Sequence, residues 1–528
     1  MIGALAFALG TSSAPLAGPR YLHVQFEVVA YGILGTGTLD VDRRTGWFVR
    51  RFATGPASEA EGFDGVRAWR ADATGMPRIE GNVDERNEIL EWSSALVRAT
   101  RGPLPRAVVH SGTDRVVVTF SGYRHAGGLW LPSRIESRAA QNGVWTAQVL
   151  AAQSSSSAPV TFAPPAPPRD SSLAGITRVP ISMTGGSPLL TVRVDGQALR
   201  FILDTGGQNV ITQSAARRAG LTVSGGGIVA GGGPDVAAIR YARARSLGVG
   251  AAELRAQPFI VLADDALPGV DGIVGYELLA RFAARLDMAH GSLALASRAA
   301  AFGPPVHAAT FAFLDRQPQL RGALDDVPGA FSIDTGSNLT AQVNAAIVRS
   351  HALISRLHAS VTTLASGVGG RYTIYLVRAH VLRLANNVVR APIVDLMTHR
   401  GGSLSSPTVV ANVGDGILRR WTLVFDYAHA RIDFRPGGDA TAGAYGDRGG
   451  LGLATQSGAL VVGFVLGGTP AAWAGIPAGE RIVAVDGRAV AARDRARVRA
   501  ILHGPPGTSV RLRLGDGSTH VVVLRRYL

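Results

Sequence analysis

The chain carries one stretch of its sequence twice, and this repeat restricts the possible folds more than any other feature. Residues 190–212 read LTVRVDGQALRFILDTGGQNVIT and residues 320–341 read LRGALDDVPGAFSIDTGSNLTA, so the two Asp-Thr-Gly motifs stand 130 positions apart. Further along, the segments GIVG and RLDMAH of residues 272–290 return as ANVG and VFDYAH in residues 411–429, now 139 positions apart. These spacings predict a duplicated domain whose second copy contains a longer loop.

In each copy an apolar run ends in Asp-Thr-Gly, at Asp204 and at Asp334. A single motif of this kind would be an ordinary surface turn, whereas two at corresponding positions of a repeat indicate a function. Two carboxyl groups brought within hydrogen-bonding distance share one proton, because both cannot ionise cheaply. The ionised group can take a proton from water while the protonated group donates to a peptide carbonyl. Asp204 and Asp334 are therefore the predicted general base and general acid, in an order that the sequence leaves open.

With these motifs, residues 180–436 resemble two retropepsin-type aspartic protease lobes fused in one chain. The resemblance implies small β-barrel-like lobes with the active site on a pseudo-twofold axis. It also implies that Thr205 and Thr335 interlock across the axis and that Gly206 and Gly336 allow close approach. The family's apolar-apolar-Gly strand is matched by IVG at residues 273–275, but NVG at residues 412–414 departs at its first position.

The residue after Asp-Thr-Gly differs between the copies, Gly207 in the first and Ser337 in the second. Only a serine hydroxyl can stabilise an ionised neighbour by a hydrogen bond. We therefore predict an asymmetric pair in which Asp334 ionises more readily.

Glycine-rich segments follow each motif, GGGIVAGGG at residues 225–233 and SGVGG at residues 366–370. By resemblance they are candidate hairpins that cover the substrate, and closure over a peptide would exclude water. The proposed tip glycines are Gly231, Gly232, Gly367 and Gly369. A dinucleotide-binding loop is the alternative for the first segment, but its glycine spacing differs and no βαβ pattern surrounds it.

From residue 449 to the end, the sequence closely resembles a bacterial PDZ domain. The resemblance rests on GLGL at residues 450–453, GTPAAWAGI at residues 468–476 and AGERIVAVDG at residues 478–487. It implies that Leu451, Gly452 and Leu453 belong to a loop that captures a terminal carboxylate beside a strand edge. The alternative is a glycine-rich hairpin in another small β domain.

A length of 528 residues allows three or four domains, and Ser/Pro- and Gly/Pro-rich breaks divide the chain. We predict a mainly β protein: duplicated retropepsin-like lobes preceded by an antiparallel β domain and followed by a PDZ domain. The front domain loosely resembles the half-barrel of periplasmic lipoprotein-carrier proteins. The predicted segments are a signal remnant or tail (1–20), the front domain (21–152), a linker (153–179), the first lobe (180–301), the second lobe (306–436) and the PDZ domain (449–528).

The charge and the cysteine content limit the classes of partner, disulfide and metal site that the sequence allows. The net charge is +15 with no lysine, and the densest basic run, RDRARVR at residues 493–499, lacks aromatic residues and any nucleic-acid motif. A solvated basic face is therefore favoured over nucleic-acid binding. Zero cysteines exclude disulfides and zinc thiolates. The apolar start, residues 1–10, indicates an imperfect signal peptide rather than a tail, and no segment is long enough to predict a membrane span.

The predicted function is an aspartic endopeptidase that cleaves extended polypeptides in the cell envelope, periplasmic or secreted, of a bacterium. The PDZ domain would recruit peptide ends or internal segments. No cofactor or metal is expected, and one chain holds both lobes, so a monomer is expected. The alternative is a non-catalytic peptide-binding or scaffold protein.

Overall fold

The computed structural model describes residues 18–111, 114–139, 143–183, 186–439 and 448–528. The predicted signal segment, residues 1–10, lies outside the described residues. The elements that follow are mainly strands, so the predicted mainly β fold class is confirmed.

The front domain is a long antiparallel sheet with one helix against it. Its sheet has the order β6-β5-β4-β3-β2-β1-β12-β11-β8-β7. Asn82 caps the N-terminus of helix α1, because its side chain accepts from the Asp84 N–H. The helix buries Ile89, Trp92 and Leu96. The elements are β1 (Tyr21–Ala30), β2 (Ile33–Asp42), β3 (Phe48–Ala53), β4 (Glu59–Phe63), β5 (Ala68–Ala71), β6 (Pro77–Ile79), α1 (Val83–Ala99), β7 (Arg106–Ser111), β8 (Asp114–Ser121), β9 (Arg124–Ala126), β10 (Leu129–Leu131), β11 (Arg134–Ala139) and β12 (Gly143–Ser155).

The predicted linker, residues 153–179, is partly structured. Strand β12 continues to Ser155 because its end pairs with the start of β1. Strands β13 (Ser171–Ser172) and β14 (Ile176–Pro180) pair with strands of the first lobe. Between β12 and β13, Phe162 is buried, and its carbonyl accepts from Trp69 Nε1 at 3.0 Å. The linker therefore lies against both of its neighbours.

The first lobe is an eight-stranded sheet of order β13-β20-β17-β21-β16-β15-β19-β18 that closes through an extra pairing of β19 with β20. Large apolar side chains such as Phe201 and Phe259 fill its interior. Its elements are β15 (Leu189–Val194), β16 (Gln197–Leu203), β17 (Val210–Thr212), α2 (Gln213–Arg218), β18 (Val223–Ala230), β19 (Val236–Val249), β20 (Ala252–Leu262), β21 (Gly272–Val274), α3 (Tyr276–Leu279), β22 (Ala283–Asp287) and β23 (Ser292–Ala296).

The second lobe repeats this arrangement in a sheet of order β29-β30-β33-β28-β34-β27-β26-β31-β32. Its parallel pair β27–β34 corresponds to the pair β16–β21 of the first lobe. Its elements are β24 (Ala308–Thr310), β25 (Ala312–Leu314), β26 (Gln317–Leu324), β27 (Val327–Ile333), β28 (Ala341–Val343), α4 (Ala345–Ser350), α5 (Leu353–Arg356), β29 (Val361–Gly367), β30 (Gly370–Arg378), β31 (Val381–Leu384), β32 (Asn387–Arg390), β33 (Ile393–Met397), β34 (Val409–Val413), α6 (Asp415–Leu418), β35 (Thr422–Asp426) and β36 (Arg431–Arg435).

A sheet shared by both lobes joins them, in the order β14-β23-β22-β35-β36-β24. At its centre β22 pairs with β35, which places Leu286 opposite Leu423. These two strands overlap the repeated RLDMAH and VFDYAH segments, so the corresponding strands of the two copies pair with each other. The lobes therefore share one continuous hydrophobic core.

The C-terminal block forms a separate small core around a sheet of order β37-β38-β39-β41-β42. Its elements are β37 (Leu451–Gln456), β38 (Ala459–Val465), α7 (Pro470–Trp473), β39 (Arg481–Val485), β40 (Arg488–Ala489), α8 (Arg495–Leu502), β41 (Ser509–Leu514) and β42 (Thr519–Val523). The four arginines of the run at residues 493–499 are exposed, whereas Val498 between them is buried.

Short 3-10 helices connect several strands and cover Gly55–Ala57, Asp264–Ala266, Ala299–Phe302, Ser403–Ser405, Tyr427–His429 and Ala492–Asp494. Among the described residues, no helix combines the length and the apolar character needed to cross a membrane.

Candidate active site

The two aspartates leave equivalent strands at the boundary between the lobes. Asp204 follows β16, and its N–H donates to the Val274 carbonyl at 3.0 Å. Asp334 follows β27, and its N–H donates to the Val413 carbonyl, also at 3.0 Å. Because each strand runs parallel to the strand carrying that carbonyl, both turns are held in the same way.

The threonines of the two motifs interlock across the boundary between the lobes. Thr205 Oγ1 donates to the Ile333 carbonyl at 2.7 Å, and Thr335 Oγ1 donates to the Leu203 carbonyl at 2.8 Å. Each hydroxyl also accepts the other threonine's N–H, at 3.0 and 3.1 Å. Both threonines are fully buried. These reciprocal bonds fix the two aspartate turns against one another, as the resemblance implied.

The glycines of the motifs leave no room for a side chain. A Cβ added to Gly206 would lie 2.7 Å from the Asp334 carboxyl carbon, and one added to Gly336 would lie 2.3 Å from that of Asp204. Each glycine N–H donates to the aspartate of its own motif, at 2.6 Å for Gly206 and 2.9 Å for Gly336. The close approach expected at both glycines is therefore present.

The carboxyl groups of Asp204 and Asp334 interact directly. Burial, the negative charge of Asp334 and a hydrogen bond with Asp334 together raise the pKa of Asp204 well above its usual range. Behind the pair, the buried Tyr427 hydroxyl donates to the Thr205 carbonyl at 3.4 Å. The arrangement can hold one proton between two carboxyl groups, which is what acid–base catalysis by such a pair requires.

The Ser337 hydroxyl does not make the hydrogen bond to Asp334 that the sequence predicted. The Ser337 hydroxyl donates to Gln342 Oε1 at 2.8 Å, and only its backbone N–H donates to Asp334, at 3.2 Å. The hydroxyl bond expected to reach Asp334 is therefore made to Gln342 instead. The side-chain donor to Asp334 is instead Asn412, whose Nδ2 lies 2.6 Å from Asp334 Oδ2. Asn412 is the residue at which the second copy departs from the family pattern.

Two hairpins meet at their tips. The first is β18–β19 and the second is β29–β30. At their tips the Gly233 N–H donates to the Val368 carbonyl, and the Asp235 N–H donates to the Gly369 carbonyl, both at 2.9 Å. The predicted glycines lie at or beside these tips, namely Gly231, Gly232, Gly367 and Gly369. The hairpins predicted from the glycine-rich segments are thus in contact with one another.

The contact between the tips depends on the absence of a side chain at Gly233. A Cβ there would lie 2.3 Å from the backbone carbon of Gly369. We expect Gly233→Ala to separate the tips at a cost of about 1–3 kcal/mol, which would accelerate hydrogen exchange of the Gly233 and Asp235 amides. Gly232→Ala is the matched control, because its Cβ would lie 3.7 Å from the nearest atom. Equal exchange rates in the two variants would contradict this expectation.

Each hairpin also touches a neighbouring domain at its base. The Gly226 N–H of the first hairpin donates to the Tyr31 carbonyl of the front domain at 2.7 Å. In the second hairpin, Thr362 and Gly467 of the C-terminal block exchange backbone hydrogen bonds of 3.1 and 2.8 Å. Both flanking domains therefore contact a hairpin.

The residues expected to bind a peptide carboxylate lie in a strand, not in a loop. Leu451, Gly452 and Leu453 begin β37, which pairs with β38 at the edge of its sheet. The Leu451 side chain is buried in the core of the C-terminal block. Strand β37 begins directly after Gly450, so the three residues predicted to form the carboxylate-binding loop are its first three residues.

Metal ligands are not grouped in the described ranges: no three His, Asp or Glu side chains there are placed to hold an ion. Three residues near the aspartates were not predicted as site residues. Asn412 could have been recognised from its departure from the apolar pattern, whereas Gln317 and Tyr427 carry no local signal.

Two sequence families match parts of the chain. Residues 190–278 match the family described as aspartyl protease, and residues 464–514 match the PDZ domain. No curated protein matches the sequence.

Similar solved structures include an aspartic proteinase from Irpex lacteus, 11% identical, which covers 51% of this chain and 100% of its own with a TM-score of 0.36. A retropepsin-like aspartic protease from Rickettsia conorii is 22% identical and covers 23% of this chain and 89% of its own, with a TM-score of 0.19. Basic 7S globulin from soybean is 10% identical and covers 51% of this chain and 96% of its own, with a TM-score of 0.29. The family matches confirm the resemblance inferred from the sequence: the chain contains one segment similar to aspartyl proteases and a C-terminal segment similar to PDZ domains.

Proposed function

We propose that the protein is an aspartic endopeptidase that hydrolyses peptide bonds of extended polypeptides between Asp204 and Asp334. The observation that carries this proposal is the meeting of two Asp-Thr-Gly turns, interlocked by Thr205 and Thr335, in which the glycine of each motif lies against the carboxyl group of the other. Two unrelated surface turns would not hold a buried and a half-buried acidic group close together, because such placement costs stability unless the groups share a proton.

The reaction needs only water and the two carboxyl groups. The ionised aspartate takes a proton from water as the water oxygen bonds to the peptide carbonyl carbon, and the protonated aspartate donates its proton to the carbonyl oxygen. The tetrahedral diol then collapses. The C–N bond breaks as the nitrogen receives the proton held by the first aspartate, and a diol hydroxyl returns a proton to the second aspartate. Both carboxyl groups thereby regain their starting states.

The hairpins support a polypeptide substrate. Backbone groups at the tips, such as Gly233 and Val368, pair with one another and could pair instead with an extended peptide that enters beneath them. Opening and closing of the hairpins would admit the substrate and then exclude water.

The PDZ domain would assist recognition by binding a peptide end or an internal segment of the same substrate. Its position supports this role, because Gly467 pairs with Thr362 at the base of the second hairpin. One chain supplies both aspartates, so we infer that a monomer suffices for activity.

The test is to incubate the full chain with an unfolded protein across pH 3–7 and identify the products by mass spectrometry. We expect internal cleavage that a pepstatin-type peptide abolishes, because its tetrahedral hydroxyl occupies the position of the attacking water. Saturable binding of the unfolded protein without any cleavage would overturn the enzyme assignment and favour a non-catalytic peptide-binding protein.

A further inference from the structure

A cluster of side-chain amides lies behind Asp334. Asn412 on β34 and Gln342 on β28 are cross-strand partners, and both are buried. Asn412 Nδ2 lies 2.6 Å from Asp334 Oδ2 and 3.1 Å from Gln342 Oε1. The amide therefore donates both of its N–H groups inside the cluster, one of them to the carboxyl group of Asp334.

The orientation of this amide is fixed from the opposite side. Gln317 Nε2 donates to Asn412 Oδ1 at 2.9 Å, so the oxygen of Asn412 already has its partner. The Ser337 hydroxyl likewise donates to Gln342 Oε1 at 2.8 Å. With its oxygen turned towards Gln317, Asn412 can present only an N–H to Asp334.

The first lobe has no such cluster at the equivalent positions. There β17 and β21 place Val210 opposite Ile273, two apolar residues where the second lobe has Gln342 and Asn412. A carboxylate gains from a donor, whereas a carboxylic acid needs none on that oxygen. The two aspartates are therefore held in unequal surroundings despite the symmetry of their backbone turns.

We propose that Asn412, oriented by Gln317 and Gln342, is a positioning residue that keeps Asp334 ionised and leaves the shared proton on Asp204. This inference rests on the proposed function: Asp334 then takes the proton from water, and Asp204 donates to the peptide carbonyl. The high pKa of Asp204, caused first by its burial and then by the charge of Asp334, agrees with the same distribution of the proton.

Three acidic groups face the pair: Asp415, Tyr372 and Tyr427. Burial, followed by the charges of Asp334 and Asp204, raises the pKa of Asp415 well above its usual range, although the charge of Arg419 acts on Asp415 in the opposite direction. Burial also raises the pKa of Tyr372 to about 12 and that of Tyr427 well above its usual range. None of these three acidic groups supplies a positive charge to Asp334.

The first experiment compares the pH dependence of kcat/KM in the wild type and in Asn412→Leu. Loss of one N–H donor to a carboxylate should move the acidic limb upwards by about one pH unit and lower kcat/KM on that limb about tenfold. KM should change little. Asn344→Leu is the matched control, because it removes another buried amide, directly after β28, that donates to the Val409 carbonyl and not to Asp334. An acidic limb at the same pH in Asn412→Leu as in the wild type would overturn the proposal.

Two further measurements keep the proposal open to test if Asn412→Leu folds poorly or if no peptidase activity is found. Gln317→Leu frees the Asn412 oxygen and should move the limb in the same direction by a smaller amount. Carbon-13 NMR of the full chain labelled at aspartate carboxyl carbons reports the first proton lost by the pair without turnover. The signal of Asp334 is identified as the one that disappears in Asp334→Asn. In the wild type, the first proton loss of the pair should shift this Asp334 signal. If the first proton loss shifted the Asp204 signal instead, which is the signal that disappears in Asp204→Asn, the assignment of roles would be wrong even for an active peptidase.

Discussion

Asparagine at either Asp204 or Asp334 is expected to lower kcat on an unfolded polypeptide by about a thousandfold or more, with little change in KM. An amide has nearly the size of a carboxyl group, but it neither accepts the proton of water nor donates an acidic proton. The Gly206 and Gly336 N–H groups can still donate to the amide oxygen, so the turns should persist. Initial rates with wild type, Asp204→Asn and Asp334→Asn, purified in parallel, give the measurement.

The control for this prediction is Asp265→Asn, the same chemical change at an exposed position of the first lobe. Its rate should equal that of the wild type. Cleavage that persists at the wild-type rate in both dyad variants would place the activity elsewhere in the preparation or in the chain. Loss in only one variant would show that the two aspartates do not act as a pair.

The fold around the aspartates could be predicted because its signals are local and occur twice. An apolar run followed by Asp-Thr-Gly specifies a strand and a tight turn from neighbouring residues alone. The repeat then implied that Asp204 and Asp334 would be brought together, and the bonds between Thr205 and Thr335 lie where this symmetry requires. Local pattern and symmetry together therefore predicted the centre of the site.

The asymmetry of the site could not be predicted in the same way, because its contacts join distant positions. Asn412 lies 78 residues from Asp334, and Gln317 lies 95 residues from Asn412. These side chains meet only because β27 and β34 pair in parallel with a particular register. The sequence did indicate Ser337, but its hydroxyl can rotate to any acceptor within reach, and in the fold it donates to Gln342.

Buried carboxyl groups are expected to make the protein less stable as the pH rises from about 4.5 to about 7. Burial raises the pKa of Glu277 to about 7, that of Glu80 to about 7 and that of Asp395 to about 6. In this window the unfolded chain has already released these protons while the folded protein still holds them, so the free energy of unfolding falls with increasing pH. Below about pH 4.5 both states are protonated, and the full contribution is present.

Glu277→Gln isolates one of these groups, because Gln can still accept the Asn209 N–H that Glu277 Oε2 accepts at 2.7 Å. A rise in pKa from 4.5 to about 7 corresponds to about 3 kcal/mol. We therefore expect Glu277→Gln to match the wild type near pH 4.5 and to exceed its free energy of unfolding by about that amount at pH 8, which would raise the Tm by several degrees. Glu27→Gln, at an exposed position of the front domain, should follow the wild type at every pH. If the Tm difference between Glu277→Gln and the wild type stayed constant from pH 4.5 to pH 8, the pKa of Glu277 would be the same in the folded and the unfolded chain, and burial would not raise it.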